Sequence, residues 1–176
     1  RAIDALENHE IESFILDGQT LPLEDYLEVC ELKDKERILK LIEEGRMIIG
    51  PWYIAMDEFL VQGESIIRNL EIGHKIAKQY GPIQRVGYLP DTFGHIGQMP
   101  QILNDFSIDN AIMWRGIEVK QSEFIWQGSD ESKLFTIFLV DGYYRPDLNQ
   151  NDYITATKAL IDRIEPYTTT KHMLIT

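Results

Sequence analysis

Short apolar runs alternate along the chain with segments whose apolar residues recur at helical spacing. The apolar runs predict four strands, in "SFILDG", "RMIIGPWYI", "QRVGYLP" and "NAIMWRG". The helical spacing predicts helices in "KDKERILKLIEEG", "GESIIRNLEIGHKIAKQYG", "GQMPQILNDF" and "DYITATKALIDRIEPY". Strands that alternate with helices of this length are typical of parallel β/α units whose helices lie outside the sheet. The periodicity leaves open whether that sheet closes into a barrel.

Local signals add detail to this pattern. The first long helix ends near Gly45, a residue type that suits a helix C-terminus. The second places Ile67, Leu70, His74 and Ala77 in register on one face. A Gly-Ser-Asp turn between "SEFIWQG" and "KLFTIFLV" predicts a β-hairpin, and "HMLIT" reads as a further strand.

Polar and aromatic residues stand where the predicted strands end, namely Asp17, Trp52, Asp91 and Arg115. Ligands gather at the carboxyl ends of parallel strands in such folds. Asp91 follows "RVGYLP" directly, and Pro90 has a fixed φ and no N–H, so it holds the chain extended in front of the carboxylate. We expect Asp91 to be the residue that carries chemistry. An ordinary Asx turn or helix cap is the alternative.

Arg115 ends the next predicted strand, so it is placed to lie close to Asp91 at the same edge. A cation there can hold the carboxylate ionised and donate to a sugar hydroxyl. A purely structural salt bridge explains the same placement equally well. Aromatic rings suited to the apolar face of a sugar are supplied by Trp52, Phe93, Trp126, Tyr143 and Tyr144, although most aromatics in such a domain are core residues.

The charge balance and the cysteine count limit the partners and the location of the protein. Its 176 residues include 17 Lys and Arg against 29 Asp and Glu, and the net charge of −12 disfavours nucleic acids and anionic membranes as partners. No apolar run approaches the length of a transmembrane helix. Cys30 is the single cysteine and has no partner for an internal disulfide, which predicts a cytoplasmic location. Self-association into a homo-oligomer stays open.

The histidines do not assemble a metal site from the sequence alone. His74 lies on the apolar face of its predicted helix and is expected to be a packed, hydrogen-bonded residue. His95 lies in the loop after Asp91, and neither it nor His9 has a second His or Cys at ligand spacing.

Several ordered blocks of the sequence resemble a known family. The blocks are "DGQTLPLEDYL", "GPWYIAMDEFLVQGESIIRNLEIGHKIA", "VGYLPDTFGHIGQMPQIL" and "NAIMWRG". Together they resemble the catalytic domain of family-38 glycoside hydrolases, the α-mannosidases, and most of all its bacterial branch. The Pro-Asp-x-Phe-Gly-His segment is the most specific part. The resemblance implies an α/β fold, part of a parallel (β/α) barrel-like catalytic domain with a short hairpin insertion, with residues 1–176 forming part of one domain.

The resemblance also implies roles for individual residues. Asp91 corresponds to the catalytic nucleophile, which in the family also binds a zinc ion. Arg115 and Phe93 correspond to residues of the substrate site, and a Tyr after the hairpin contributes to the same site. Tyr144 is preferred over Tyr143 for that role. His95 belongs to the motif and is expected to support the loop and not to bind metal.

Other parts of the family pattern have no counterpart in this chain. The family holds its zinc also with a His-x-Asp pair after its first strand and with a distant His, and a second carboxylic acid follows a strand resembling "HMLIT". We expect these groups before Arg1 and beyond Thr176, so that the chain is an internal piece truncated at both ends and inactive alone. The expected function of the intact protein is zinc-assisted, retaining hydrolysis of terminal α-mannosides. A non-catalytic carbohydrate-binding module and a metal-dependent deacetylase, which would be richer in His, are the alternatives.

Overall fold

The computed structural model describes residues 1–142 and 152–175, in which helices and strands alternate. The helices are α1 (Ala2–Glu7), α2 (Leu21–Val29), α3 (Leu32–Glu43), α4 (Gly63–Tyr80), α5 (Met99–Asp105) and α6 (Tyr153–Ile164), and a 3₁₀ turn follows at Glu165–Tyr167. The strands are β1 (Phe14–Ile15), β2 (Met47–Ile48), β3 (Gly87–Leu89), β4 (Asn110–Met113), β5 (Glu123–Gln127) and β6 (Lys133–Phe138). The predicted α/β class is confirmed, while closure into a barrel stays a prediction.

The chain divides into two compact units. The first comprises Arg1–Met56 and Leu60–Tyr88, and the second comprises Asp57–Phe59 and Leu89–Thr176. The three-residue segment Asp57–Phe59 therefore belongs with residues that follow it by some thirty positions, which is relevant to the site described below.

The first unit is built on a two-stranded parallel sheet. Phe14 of β1 pairs with Met47 of β2, and Ile15 pairs with Ile48. One hydrophobic core cluster of this unit consists of Leu6, Leu23, Ile38, Leu41, Ile42, Met47, Ile49 and Ala77. These side chains come from α1, α2, α3, α4 and the β2 segment, so apolar residues spread along the sequence meet in one cluster beside the sheet.

The two long helices of this unit largely follow the sequence prediction. Helix α3 ends at Glu43, and Gly45 adopts φ +71° while its N–H donates to Ile42 O, a left-handed C-terminal cap that suits glycine. In α4, Leu70 and Ala77 are buried as predicted, whereas Ile66 is buried in place of the predicted Ile67, which is 36% exposed.

The second unit contains a mixed sheet with the strand order β3-β4-β6-β5. Leu89, the last residue of β3, belongs to this unit. Strands β4 and β6 are parallel, and Asn110 pairs with Phe135. Strands β5 and β6 are antiparallel and form the predicted hairpin, in which Gly128 N–H donates to Ser132 O across the turn. Strand β5 thus adds an antiparallel edge to the parallel pair of β4 and β6.

Two sequence interpretations are corrected by the structure. Residues 172–175, predicted as a strand, carry no strand, because the His172 N–H donates to the nearby Thr170 hydroxyl and the segment has no strand pairing within the described part of the chain. Helix α2 was not predicted, although Thr20 at its N-cap and a proline in its first turn are helix-start signals.

Candidate active site

Asp91 and Arg115 both belong to the second unit, and they follow the neighbouring strands β3 and β4. Pro90 and Asp91 follow β3, and Arg115 follows β4 after one intervening residue. The Arg115 N–H donates to the Pro90 carbonyl at 3.1 Å, so the two chain segments are joined by a backbone hydrogen bond just where their side chains diverge from the sheet. This bond fixes the positions from which both side chains extend.

The two side chains form an ion pair. Arg115 Nε lies 2.8 Å from Asp91 Oδ1, which confirms their predicted proximity. The Asp91 side chain is 60% exposed and that of Arg115 is 41% exposed. An ion pair this accessible adds about 0–1 kcal/mol to stability, because water screens it. Its main consequence is orientation, since the carboxylate is held in one direction while its surface remains accessible to a ligand.

Two aromatic rings flank the Arg115 guanidinium. Its central carbon lies 5.1 Å from the centroid of Phe93 and 4.5 Å from that of Trp114, within the range of cation–π attraction. Phe93 is 66% exposed and so presents apolar surface beside the ion pair. A carboxylate, a cation and an open aromatic ring are the groups that a sugar-binding site combines.

His95 is held in the loop by hydrogen bonds from both ring nitrogens. Nδ1 lies 2.7 Å from Glu58 Oε1, and Nε2 lies 3.0 Å from the Arg115 carbonyl oxygen. A carbonyl oxygen only accepts, so Nε2 carries the proton of that bond. The ring also meets Trp126 edge-on, with centroids 5.5 Å apart. The expectation that His95 supports the loop is consistent with these contacts.

Glu58 is the residue of this network that the sequence did not reveal. Its side chain has no exposed surface, and its second oxygen accepts the Ile96 N–H at 2.7 Å. The segment "AMDEFLVQG" mixes apolar and acidic residues without strong periodicity. The one signal for Glu58 is its position among apolar neighbours, which is too common to single it out.

The other predicted residues lie elsewhere. Trp52 is buried in the first unit at 1% exposure and donates its indole N–H to Tyr88 O, so it is a core residue and not an open sugar platform. Asp17, also in the first unit, accepts a hydrogen bond from the Gln19 side chain at 3.0 Å. Tyr143 and Tyr144 fall outside the described residues.

His74 is the packed helical residue that the sequence predicted. Its Nδ1 is hydrogen-bonded to the Leu70 carbonyl at 2.9 Å. Burial lowers the pKa of its imidazole below the usual value, because the charged form loses hydration. A ring held neutral on a helix face accords with a structural residue.

Within residues 1–142 and 152–175, no group of three or more His, Cys, Asp or Glu side chains is arranged to hold a metal ion. A structural or catalytic zinc needs at least three protein ligands. The described residues thus offer Asp91 as one accessible carboxylate donor and do not complete a zinc site themselves.

Comparison with known proteins places this chain in a family. Residues 1–176 match the Glycosyl hydrolases family 38 N-terminal domain. The chain is 40% identical over 146 residues to a protein of Halalkalibacterium halodurans named "Putative mannosylglycerate hydrolase", covering 74% of this chain and 16% of that protein. It is 30% identical over 134 residues to "Alpha-mannosidase" of Saccharomyces cerevisiae, covering 73% of this chain and 12% of that protein.

A solved structure extends the match to the fold. The crystal structure of an alpha-mannosidase from Enterococcus faecalis V583 superposes with a TM-score of 0.91 at 35% identity, over 99% of this chain and 21% of that chain. The fold is that of a glycoside hydrolase N-terminal domain. The chain belongs to glycosyl hydrolase family 38, as its sequence motifs predicted. It spans between about an eighth and a fifth of the length of these relatives.

Proposed function

We propose that the complete protein containing this chain hydrolyses terminal α-mannosides with retention of configuration and that Asp91 is its nucleophile. The observation that supports this most directly is the accessible Asp91 carboxylate, aimed from a strand end by Arg115 in a family-38 chain. The relatives' names, mannosylglycerate hydrolase and alpha-mannosidase, support a mannoside as the substrate. The chain spans only a small part of the length of those relatives, and we propose that further residues complete the site.

In the proposed reaction an Asp91 carboxylate oxygen attacks the anomeric carbon, and the bond from that carbon to the leaving oxygen breaks. A second carboxylic acid about 5 Å away, contributed by residues outside this chain, donates its proton to the leaving oxygen. The same carboxylate then takes a proton from water, which attacks the glycosyl-enzyme and frees the sugar and Asp91. This chain alone, with one of the two carboxyl groups, is proposed to be inactive.

Arg115 and Phe93 are proposed to bind the sugar. Arg115 has its Nε committed to Asp91, and its remaining N–H groups are suited to sugar hydroxyls. Phe93 supplies an exposed ring for the apolar face of the sugar. Tyr144 is proposed for the same site on the strength of the sequence resemblance.

Zinc is proposed as the cofactor, with Asp91 as one ligand and the remaining ligands outside this chain. The accessible Asp91 carboxylate is chemically suited to that role, and a bound zinc would bind and orient sugar hydroxyls. We further propose that residues 1–176 form part of one barrel-like catalytic domain. The single cysteine favours a cytoplasmic protein. None of the helices in residues 1–142 and 152–175 combines the length and apolar character needed to cross a bilayer.

The test uses the complete protein with an α-mannoside. We expect bound zinc, release of mannose that is initially the α-anomer, and loss of turnover by at least about 10³-fold in Asp91→Asn, because the amide cannot act as the nucleophile. Asp109→Asn is the matched control, since this exposed Asp lies at the other end of β4 from Arg115. Unchanged turnover in Asp91→Asn would contradict the assignment of Asp91 as the nucleophile. A wild-type protein that binds mannosides without releasing mannose would be a carbohydrate-binding module.

A further inference from the structure

A buried carboxylate lies beneath the loop that carries Asp91. Glu58 has no exposed side-chain surface, and both of its oxygens are used by the Asp91 loop. One accepts the Ile96 N–H at 2.7 Å and the other lies 2.7 Å from His95 Nδ1. A fully buried carboxylate is costly unless it is paired and hydrogen-bonded. The hydrogen bonds from the loop therefore offset the cost of burying Glu58, and the same bonds hold the loop in position.

The network continues from His95 to the partner of Asp91. The Nε2 of His95 donates to the Arg115 carbonyl at 3.0 Å, the Arg115 N–H donates to Pro90 O, and the Arg115 Nε meets Asp91. Arg115 is thus fixed at its carbonyl, at its N–H and at its side chain. A displacement of Glu58 or His95 moves the backbone from which Arg115 reaches the carboxylate.

The position of Glu58 in the fold supports the same interpretation. Asp57–Phe59 belongs to the second unit, while the residues on either side of it belong to the first. The Phe59 ring lies against Gly94, in the middle of the same loop. This segment is therefore grouped apart from its sequence neighbours, and within it Glu58 and Phe59 contact the Asp91 loop.

We propose that Glu58 is a positioning residue for Asp91, acting through His95 and Arg115. This rests on the proposed role of Asp91 as the nucleophile. The groups that Glu58 contacts are the backbone and ring that hold the loop, and Asp91 itself is not among them. Its loss should therefore reduce the rate of the chemical step more than the binding of substrate.

The experiment measures kcat and KM of the complete enzyme on an α-mannoside, below the unfolding temperature of each variant. Glu58→Ala should lower kcat by about 10²-fold, with KM changed less than about 3-fold, because a nucleophile misplaced by about 1 Å loses that much rate. Glu58→Gln should restore kcat to within about 3-fold. Its amide accepts from Ile96 and donates to a neutral His95 Nδ1, preserving the geometry without the charge.

Glu58→Asp provides a variant that keeps the buried charge. It is one methylene shorter and does not reach both His95 and Ile96, so kcat should fall at least about 10-fold below that of Glu58→Gln. An Asp variant as active as the Gln variant would overturn the proposal, because the reach of the side chain to both His95 and Ile96 would then not matter. This comparison stands even when Glu58→Ala does not fold.

Glu123→Ala is the matched structural control. Glu123 is also a buried carboxylate of the second unit, and it accepts hydrogen bonds from Ser122, Thr169 and Thr170, away from the Asp91 loop. It should lose thermal stability to a similar degree with kcat unchanged. Parallel falls of kcat in Glu123→Ala and Glu58→Ala would overturn the positioning role.

Asp91→Asn, measured beside these variants, separates the two levels of inference. If Asp91→Asn is inactive and Glu58→Ala keeps kcat within about 3-fold of wild type, the positioning role alone is wrong. If Asp91→Asn retains turnover, the nucleophile assignment falls and the positioning role falls with it. A double variant of Glu58 and His95 should lose no more than the worse single variant, since both act through one network.

Discussion

Arg115 places its guanidinium Nε 2.8 Å from Asp91 Oδ1 while its own N–H donates to Pro90, the residue before that Asp. The backbone hydrogen bond holds the two strand ends together, so the Arg115 side chain starts close to the Asp91 carboxylate. With Phe93 and Trp114 on the guanidinium, the cation is confined in direction as well as distance. The following predictions concern the complete protein.

Replacing Arg115 tests whether the ion pair serves turnover or stability. We expect Arg115→Ala to lower kcat/KM by about 10–100-fold, with the free energy of unfolding reduced by no more than about 1 kcal/mol, because the pair is exposed. Arg115→Lys should recover little, since an ammonium lacks the planar fork that stacks on aromatic rings. Steady-state kinetics and urea denaturation measure both effects.

Arg68→Ala is the control for losing an exposed arginine. Arg68 pairs with Glu64 and Glu71 on α4, and its removal should leave kinetics unchanged. Unaltered kcat/KM in Arg115→Ala would place Arg115 in a structural ion pair, the alternative that the sequence left open.

Gly116 controls the approach of the Arg115 segment to the Asp91 loop. It has φ +76°, and an added Cβ would lie 2.5 Å from Gly94 N and 2.7 Å from Thr92 O, both backbone atoms. Gly116→Ala should therefore cost about 2–4 kcal/mol of stability through left-handed strain and overlap, and lower kcat with it. Thermal unfolding and kinetics measure the two losses.

Gly63→Ala offers the matched comparison, because no atom lies within 4 Å of its added Cβ at the start of α4. Its stability should change by no more than about 1 kcal/mol, and in the stabilising direction, since alanine favours a helix. Equal effects of the two alanine variants would show that the close contact at Gly116 does not exist in solution.

Protonation of the Glu123 carboxylate should lower the free energy of unfolding in acid. Burial alone would raise the pKa of its carboxyl, but hydrogen bonds from the Ser122 hydroxyl, the Thr169 N–H and the Thr170 hydroxyl outweigh it and lower the pKa to about 2. The folded-state pKa is below the unfolded value of 4.5, so the stabilisation is complete above pH 4.5. It is lost as the pH falls towards about 2.

Glu123→Gln should therefore unfold more easily than wild type at pH 7, by on the order of 1–3 kcal/mol, and the difference should shrink as the pH falls from 4.5 to about 2. Urea denaturation over this pH range measures it. Glu118→Gln, at an exposed position, serves as the control and should follow wild type. A difference between Glu123→Gln and wild type that does not vary with pH would contradict the prediction.

The site was predictable where local sequence determines it and not where distant residues meet. Pro90 and Asp91 directly follow a strand, and Arg115 follows the next strand along the chain, so their proximity could be inferred from strand order alone. Glu58 reaches His95 across a large separation in sequence. No periodicity in the sequence indicates that contact, because it depends on how the chain between the two residues folds.

The fold shows the same division. Helix α3 and the β5–β6 hairpin carry complete local signals, namely an amphipathic face with a terminal glycine and a turn between two strands. The segment 172–175 has strand-like composition, but strand formation depends on a pairing partner, and its N–H groups are engaged locally at His172. Ile66 and Ile67 are chemically equivalent, so the sequence alone could not show which one faces the core.

The register of the two sheets sets an order in which the chain can assemble. Gln127 and Lys133 face each other across a tight turn, so the β5–β6 hairpin closes a short loop and can form within microseconds. Phe14 pairs with Met47 only after the longer intervening chain is closed into a loop, and the entropic penalty of that closure is larger. Mutations in the hairpin turn should therefore slow folding, whereas mutations in the β1–β2 pair should chiefly accelerate unfolding.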